Sequence, residues 1–208
     1  MVHIEDGNAN KQFICSGTKK NVFLIGDSIR MGYCEATREA LSNMAEVFFV
    51  RENCRNTQYV ITRLYGWANM FSDTTCVDLV QFNCGHWDAA HWFGGEHPLT
   101  SSEEYKRNLQ IIIDMISKLF PNAKIVFATT TTMNPSGQTG VNPRTNAEIA
   151  HYNDIAKAVA AKNNVIINDL FEVTKNWDES YYTDYCHFTD EAKIVLGKIV
   201  AKALELHL

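Results

Sequence analysis

The chain has 208 residues, 46% of them hydrophobic and 21% charged, with a formal net charge of -5. That is enough for one domain with a sizeable core. Lys and Arg are scattered, so no phosphate-tracking stripe exists and nucleic acid is not an expected partner. No apolar run reaches the roughly 20 residues of a membrane span, and no membrane partner is expected.

Residues 1–20 are polar and read as an N-terminal extension without the basic-then-apolar pattern of a secretory leader. Asn21 to Ile25 is a short apolar run closed by Gly26, as suits a strand buried on both faces. Gly26-Asp27-Ser28 follows at once. Met31 to Asn43 has few β-branched residues and suits a helix. Val47 to Val50 is a second strand, and Thr57 to Trp67 a helix with Val60, Leu64 and Trp67 on one side. Cys76 to Phe82 is a third strand, ending at Asn83-Cys84-Gly85.

A long loop runs from His86 to Thr100 and carries Trp87, His91, Trp92, Phe93 and His97. Ser101 and Glu104 then fit a capping box. Leu109, Ile112, Ile113, Ile116 and Leu119 give the next helix its buried stripe. Lys124 to Thr131 is a fourth strand, β-branched at its end, and Met133 to Pro143 is loop. Asn146 to Lys162 is an Ala-rich helix and Val165 to Ile167 a fifth strand. Thr189 caps the last helix, with Asp190 and Glu191 at the positive end of its dipole.

Strands separated by helices predict an α/β fold: a parallel sheet with helices on both faces. No repeat or linker divides the chain, so residues 1–208 form one domain. The commonest five-stranded order is 2-1-3-4-5, whose switch point lies between the first and third strands. The loops bearing Ser28 and Asn83 open there, and the loop with Asp184 and His187 emerges at the same edge. None of Cys15, Cys34, Cys54, Cys76, Cys84 and Cys186 has Cys-x-x-Cys or zinc-finger spacing. They read as reduced thiols, consistent with a cytoplasmic location.

A serine hydroxyl needs a base to accept its proton. His187 is that candidate base, and Asp184, three residues earlier, is placed to orient it. Ser28 has a bland alternative as a helix cap, Asp184 as a turn residue, and His187 as a buried ring. Attack on an ester makes an oxyanion that needs preorganised donors. The backbone N–H of Ser28 and the side chain of Asn83 are candidates, with a third in the segment Glu52 to Thr57. Asn83 has the alternative of bonding loop backbone at a strand end. His86, Trp87 and Trp92 are candidate substrate contacts, able to stack on a sugar or to pack the loop on the domain. His86, His91 and His97 have no metal-ligand spacing, so no metal is expected. Arg30, Arg51, Arg63 and Arg144 read as surface or ion-pair residues, and Arg55 lies nearer the site.

Gly26-Asp27-Ser28 and Asp184-Tyr185-Cys186-His187, in this order and spacing, resemble the SGNH (GDSL-type) hydrolase family. The resemblance implies a three-layer α/β/α, flavodoxin-like fold and ester hydrolysis without metal or cofactor. It covers nearly the whole chain from Asn21. Two blocks depart from the pattern. The second block's usual Gly is absent from Cys54-Arg55-Asn56, which makes the Arg55 N–H the candidate donor there. The third block has Trp87 where Asn is usual and reads Asn-Cys-Gly-x-Trp-Asp, with Asn83 in place of the missing amide. The expected function is a serine ester hydrolase acting on small acyl groups, with O-acetyl on a carbohydrate as the preferred class. A lysophospholipase or thioesterase on longer chains is the alternative, as is a non-catalytic carbohydrate-binding domain. Oligomeric state stays open.

Overall fold

Five parallel strands define the molecule: β1 (Lys20–Ile25), β2 (Ala45–Phe49), β3 (Leu79–Phe82), β4 (Lys124–Ala128) and β5 (Ile166–Asn168), in the order β2-β1-β3-β4-β5. The computed structural model describes residues 12–137 and 139–208. Among the described residues there are six α-helices: α1 (Ser28–Leu41), α2 (Thr57–Ala68), α3 (Ser102–Leu119) and α4 (Asn146–Lys162) connect the strands, and α5 (Leu170–Thr174) and α6 (Asp190–Glu205) follow β5.

Side chains alternate across a strand, so β1 feeds two cores. Phe23 and Ile25 join Phe82, Phe127 and the buried faces of α2, α3 and α4. Val22 and Leu24 join Leu79, Val126 and the buried faces of α1 and α6. That two-sided burial is why the strands read as continuous apolar runs rather than as alternations. Both expected capping features are present: the Ser101–Glu104 box opens α3, and the Thr189 side chain accepts from the Ala192 N–H at the start of α6. Among the described residues no helix is long and apolar enough to cross a membrane.

Four local expectations are corrected. Thr74–Cys76 form a 3-10 turn rather than the start of a strand, because the Asp73 carboxylate holds the Thr75 N–H and hydroxyl. The fourth strand stops at Ala128. Thr129 to Thr132 are buried; the Thr129 N–H makes a last bond to the Asn168 carbonyl of β5 (3.0 Å), and beyond it the backbone turns to side chains, the Thr130 N–H donating to Asn153 Oδ1 (2.8 Å) and the Thr132 N–H to Thr174 Oγ1 (3.0 Å). Cys15 and Cys76 are joined in a disulfide across 61 residues, so the reading of six reduced thiols fails and a reducing compartment loses its premise. That bridge ties the stretch before β1 to the body, as does Phe13, whose backbone bonds Met70 and Ser72. The rest of the expected 1–20 extension, residues 1–11, lies outside the described residues.

The fourth correction is Arg30, which is 1% exposed and forms no ion pair with a described residue. Its guanidinium donates to the carbonyls of Val50 (2.9 Å), Gly26 (3.1 Å) and Glu52 (2.6 Å). The Cys54 N–H also donates to the Gly26 carbonyl, at 3.1 Å. The loop after β1 is thereby locked to the loop after β2.

Candidate active site

Gly26 leaves β1 at the switch point. A Cβ there would sit 1.8 Å from Asn83 Oδ1 and 2.8 Å from Arg30 Cβ, so only Gly fits this close approach. Asp27, not Ser28, caps α1: its Oδ1 accepts the Ile29 N–H at 3.0 Å. Ser28 is therefore the first residue of the helix, with its hydroxyl free to face the loops. Its N–H has no acceptor among the described residues and sits at the positive end of the helix dipole.

On the far side, Asp184 folds its own loop. Its Oδ1 accepts the N–H groups of Cys186 and His187, both at 2.8 Å. Asn134 anchors the same turn, its N–H donating to the Tyr185 carbonyl and its side chain to that of Asp184, both at 2.9 Å. This leaves Asp184 Oδ2 at 2.7 Å from His187 Nδ1, while His187 Nε2 lies 2.8 Å from Ser28 Oγ. An ionised carboxylate only accepts, so Nδ1 carries the proton and Nε2 is left as the acceptor for the serine hydroxyl. Burial pushes the Asp184 carboxyl up, but the Cys186 and His187 N–H groups and the His187 ring outweigh it, and the net shift is downward. Asp184, Cys186 and His187 offer donor atoms within 4.8 Å of one another, the kind of cluster that can hold a metal. Here the carboxylate and ring are bonded to each other, and burial pushes the Cys186 thiol up to about 12.

Ser28 and His187 open on a pocket of about 130 Å³ that is also lined by Asn53, His86, Trp87, Trp92, Arg144 and Tyr185, while Asp184 stands behind the His187 ring. A wider groove of about 630 Å³, beside β2 and Arg38, holds none of them. All three expected substrate contacts thus reach the pocket. Trp87 and Trp92 stand together at 5.3 Å between ring centroids. His86 is 3% exposed; burial, then the nearby Arg144 and His187, hold its ring well below the ordinary histidine range. Its Nδ1 accepts from Arg144 Nε at 3.1 Å, so Nε2–H is the end that faces Thr131 Oγ1 at 3.1 Å. Gly85 precedes it at φ 151°, where a Cβ would come within 2.0 Å of Thr130 Oγ1.

Both non-serine oxyanion candidates are displaced. Asn83 is 5% exposed and does not line the pocket; its amide is packed against Gly26 and lies beside the Asp27 carboxyl. Burial raises that carboxyl above its ordinary value, against the lowering effect of Asn83. Arg55 does occupy a left-handed conformation (φ 52°), the backbone state usually left to Gly. Its N–H, however, is already donated to Asn53 Oδ1 at 2.9 Å, and its side chain lies over the Tyr59 ring.

Sequence reasoning singled out neither Asn53 nor Arg144 as a site residue. Asn53 lies in the segment Glu52 to Thr57 where a third donor is expected, two residues before the left-handed Arg55, the spacing of an Asx turn. Arg144 is 7% exposed and lines the pocket instead of forming the surface or ion-pair contact expected of it. Asp88 supports the whole edge from beneath. It accepts the Thr57 N–H (3.1 Å) and hydroxyl (2.6 Å), pinning the start of α2 to the loop after β3. Burial raises its carboxyl to about 6.

The chain matches the GDSL-like lipase/acylhydrolase family over residues 24–193, and it belongs to that family. Membership implies hydrolase or esterase activity. Solved structures share the fold at low identity. A lipase/acylhydrolase from Enterococcus faecalis superposes with a TM-score of 0.70 at 19% identity, covering 89% of this chain and 95% of its own. A carbohydrate acetylesterase from Sinorhizobium meliloti gives 0.69 at 14% identity, covering 91% of this chain and 100% of its own. An acetyl xylan esterase (AlAXEase) gives 0.66 at 18% identity, covering 89% and 98%. No curated protein matches the chain significantly.

Proposed function

We propose that this protein is a serine esterase that removes small acyl groups, O-acetyl on a carbohydrate being the substrate class, through a Ser28–His187–Asp184 triad. The observation that carries this reading is the unbroken hydrogen-bonded chain from Ser28 Oγ through His187 to Asp184, at 2.8 and 2.7 Å. His187 Nε2 takes the hydroxyl proton as Ser28 Oγ attacks the ester carbonyl. Asp184 holds the ring's tautomer and stabilises the imidazolium. The imidazolium then gives its proton to the departing alcohol. Water, activated by the same ring, hydrolyses the acyl-enzyme.

The oxyanion meets the free Ser28 N–H at the start of α1 and, in this proposal, the Asn53 amide. Because the Arg55 N–H holds Asn53 Oδ1, the Asn53 NH₂ is the end left to donate. Asn53 thus replaces the amide that the variant third block, with Trp87 in the Asn position, does not supply. The preference for short acyl groups is supported by the pocket, at about 130 Å³ well below the range of several hundred Å³ of common ligand sites. The paired Trp87 and Trp92 rings support a sugar on the alcohol side. The two carbohydrate-directed esterases among the similar structures point the same way.

An acyl-length series on aryl esters tests the reading. Hydrolysis that peaks at acetate and is lost in Ser28→Ala supports it. A rate peaking at long chains would replace it with the lysophospholipase or thioesterase alternative.

A further inference from the structure

Arg144 is a buried cation with no paired anion among the described residues. Its Nε donates to His86 Nδ1 (3.1 Å), one terminal nitrogen to the Asn142 carbonyl (3.1 Å) and the other to Cys186 Sγ (3.4 Å). Its guanidinium lies 5.4 Å from the centre of the Tyr185 ring. Every one of these partners is neutral: the His86 ring is held uncharged and the Cys186 thiol is held protonated. No carboxylate of a described residue forms an ion pair with it. The buried Asp27 carboxyl feels its charge without touching it. Guanidinium keeps its proton in any protein setting, and an unpaired buried charge is costly. The other buried arginine, Arg30, is cradled by three backbone carbonyls; Arg144 has one.

The neutral Tyr185 hydroxyl is a further side-chain partner of the guanidinium. A carboxylate brought into the pocket would be a stronger, charge-assisted partner for the fork than any of these neutral groups. Arg144 lines the same pocket as Ser28, Trp87 and Trp92, so a group held by it lies within one small ligand's length of the nucleophile.

We propose that Arg144 selects acidic sugars: it binds a carboxylate on the alcohol part of the ester while Ser28 attacks the neighbouring O-acyl group. The proposal rests on the esterase reading for its chemistry, but the anion site itself does not. An ester carrying a carboxylate supplies the missing counter-charge, and a neutral ester leaves the cation unpaired. The selectivity is therefore a penalty on neutral substrates as much as a gain for acidic ones.

The test compares methyl glucuronoside and methyl glucoside acetylated at the same position, which differ only at C6, carboxylate against hydroxymethyl. Wild-type kcat/KM is expected to favour the glucuronoside by about tenfold or more, the worth of one charge-assisted contact. In Arg144→Gln the ratio falls to near unity, and Arg144→Lys, which keeps the charge and loses the fork, retains part of it. Calorimetry on Ser28→Ala, which cannot turn either ester over, reads the same preference as affinity. Equal kcat/KM in the wild type, with equal affinities in Ser28→Ala, would overturn the proposal and leave the esterase standing. So would Arg144→Gln slowing both substrates by one common factor, since that is the signature of a general oxyanion or folding role. Tighter glucuronoside binding with neither ester hydrolysed would keep the anion site and sink the esterase reading.

Discussion

His86→Gln is expected to change how the protein's stability depends on pH, and the sign follows from where His86 sits. In the folded state its Nδ1 faces the Nε–H of a guanidinium at 3.1 Å. A second proton on the ring would set two donors and two positive charges against each other. Burial and Arg144 accordingly hold the ring's pKa well below its ordinary value, whereas in the unfolded chain a histidine titrates near 6.5. Below about pH 6.5 the unfolded chain therefore binds a proton that the fold refuses. Stability contributed by His86 is complete above that pH and is lost as pH falls, by up to about 1.4 kcal/mol per unit.

Asp88 acts in the opposite sense. Its carboxyl is raised to about 6 in the fold, against roughly 3.9 in an unfolded chain. Between those values the folded state holds a proton the unfolded chain has released, so stability rises as pH falls. The two slopes nearly cancel in the wild type between about pH 6 and pH 4. In His86→Gln, whose side-chain oxygen can still accept from Arg144, the Asp88 slope is no longer opposed by His86. Urea unfolding at a series of pH values reads this directly. Relative to wild type, the variant gains about 1.4 kcal/mol for each unit of acidification below about pH 6. Parallel stability curves for the two proteins would refute the reasoning and mean that the His86 ring accepts its second proton in the fold.

Three further outcomes follow from the packing and the site. Replacing Cys15 and Cys76 by Ser opens a loop of 61 residues and is expected to cost about 4 kcal/mol in chemical unfolding; an unchanged midpoint would mean that the bridge constrains nothing. Gly26→Ala forces a Cβ to 1.8 Å from Asn83 Oδ1. It should lower the melting temperature, with a loss of about 1–3 kcal/mol from overpacking, and activity should drop with it as the loop bearing Ser28 shifts. Asn53→Ala is expected to reduce kcat by roughly 10²–10³ with little change in KM, while Asn83→Ala, outside the pocket, acts chiefly on stability. The reverse pattern would return Asn83 to the oxyanion hole.

The sheet was legible because both its faces are covered. Residues such as Val22 to Ile25 then form uninterrupted apolar runs, and the order of strands and helices leaves few topologies. Ser28, Asp184 and His187 were legible because each lies at the carboxyl edge of that sheet, Ser28 at the start of α1 and the other two in the loop before α6, at a spacing only the fold closes. What failed depends on side-chain partners that sequence does not display. Thr129 to Thr131 have the β-branched look of a strand, yet Asn153 and the surroundings of α5 offer better partners than another ladder. Arg30 and Arg144 read as surface charges because burial of an arginine depends on carbonyls and ring nitrogens brought in from elsewhere. Asn83 and Asn53 are chemically equivalent candidates. Which one faces the pocket is decided by the close pass of Gly26 against one and the left-handed turn at Arg55 beside the other. Cys15 and Cys76 meet because Phe13, two residues before one cysteine, docks on Met70 and Ser72, just ahead of the other, a pairing across 61 residues that neither local sequence displays.

The central claim is that the Ser28 hydroxyl is a nucleophile activated by His187. Reaction with a serine-directed fluorophosphonate, followed by peptide mass mapping, tests it most directly. One adduct is expected, on the peptide holding Ser28, formed rapidly in the wild type, slowed severely in His187→Ala and absent in Ser28→Ala. An unlabelled wild-type protein, or equal labelling in Ser28→Ala, would contradict it.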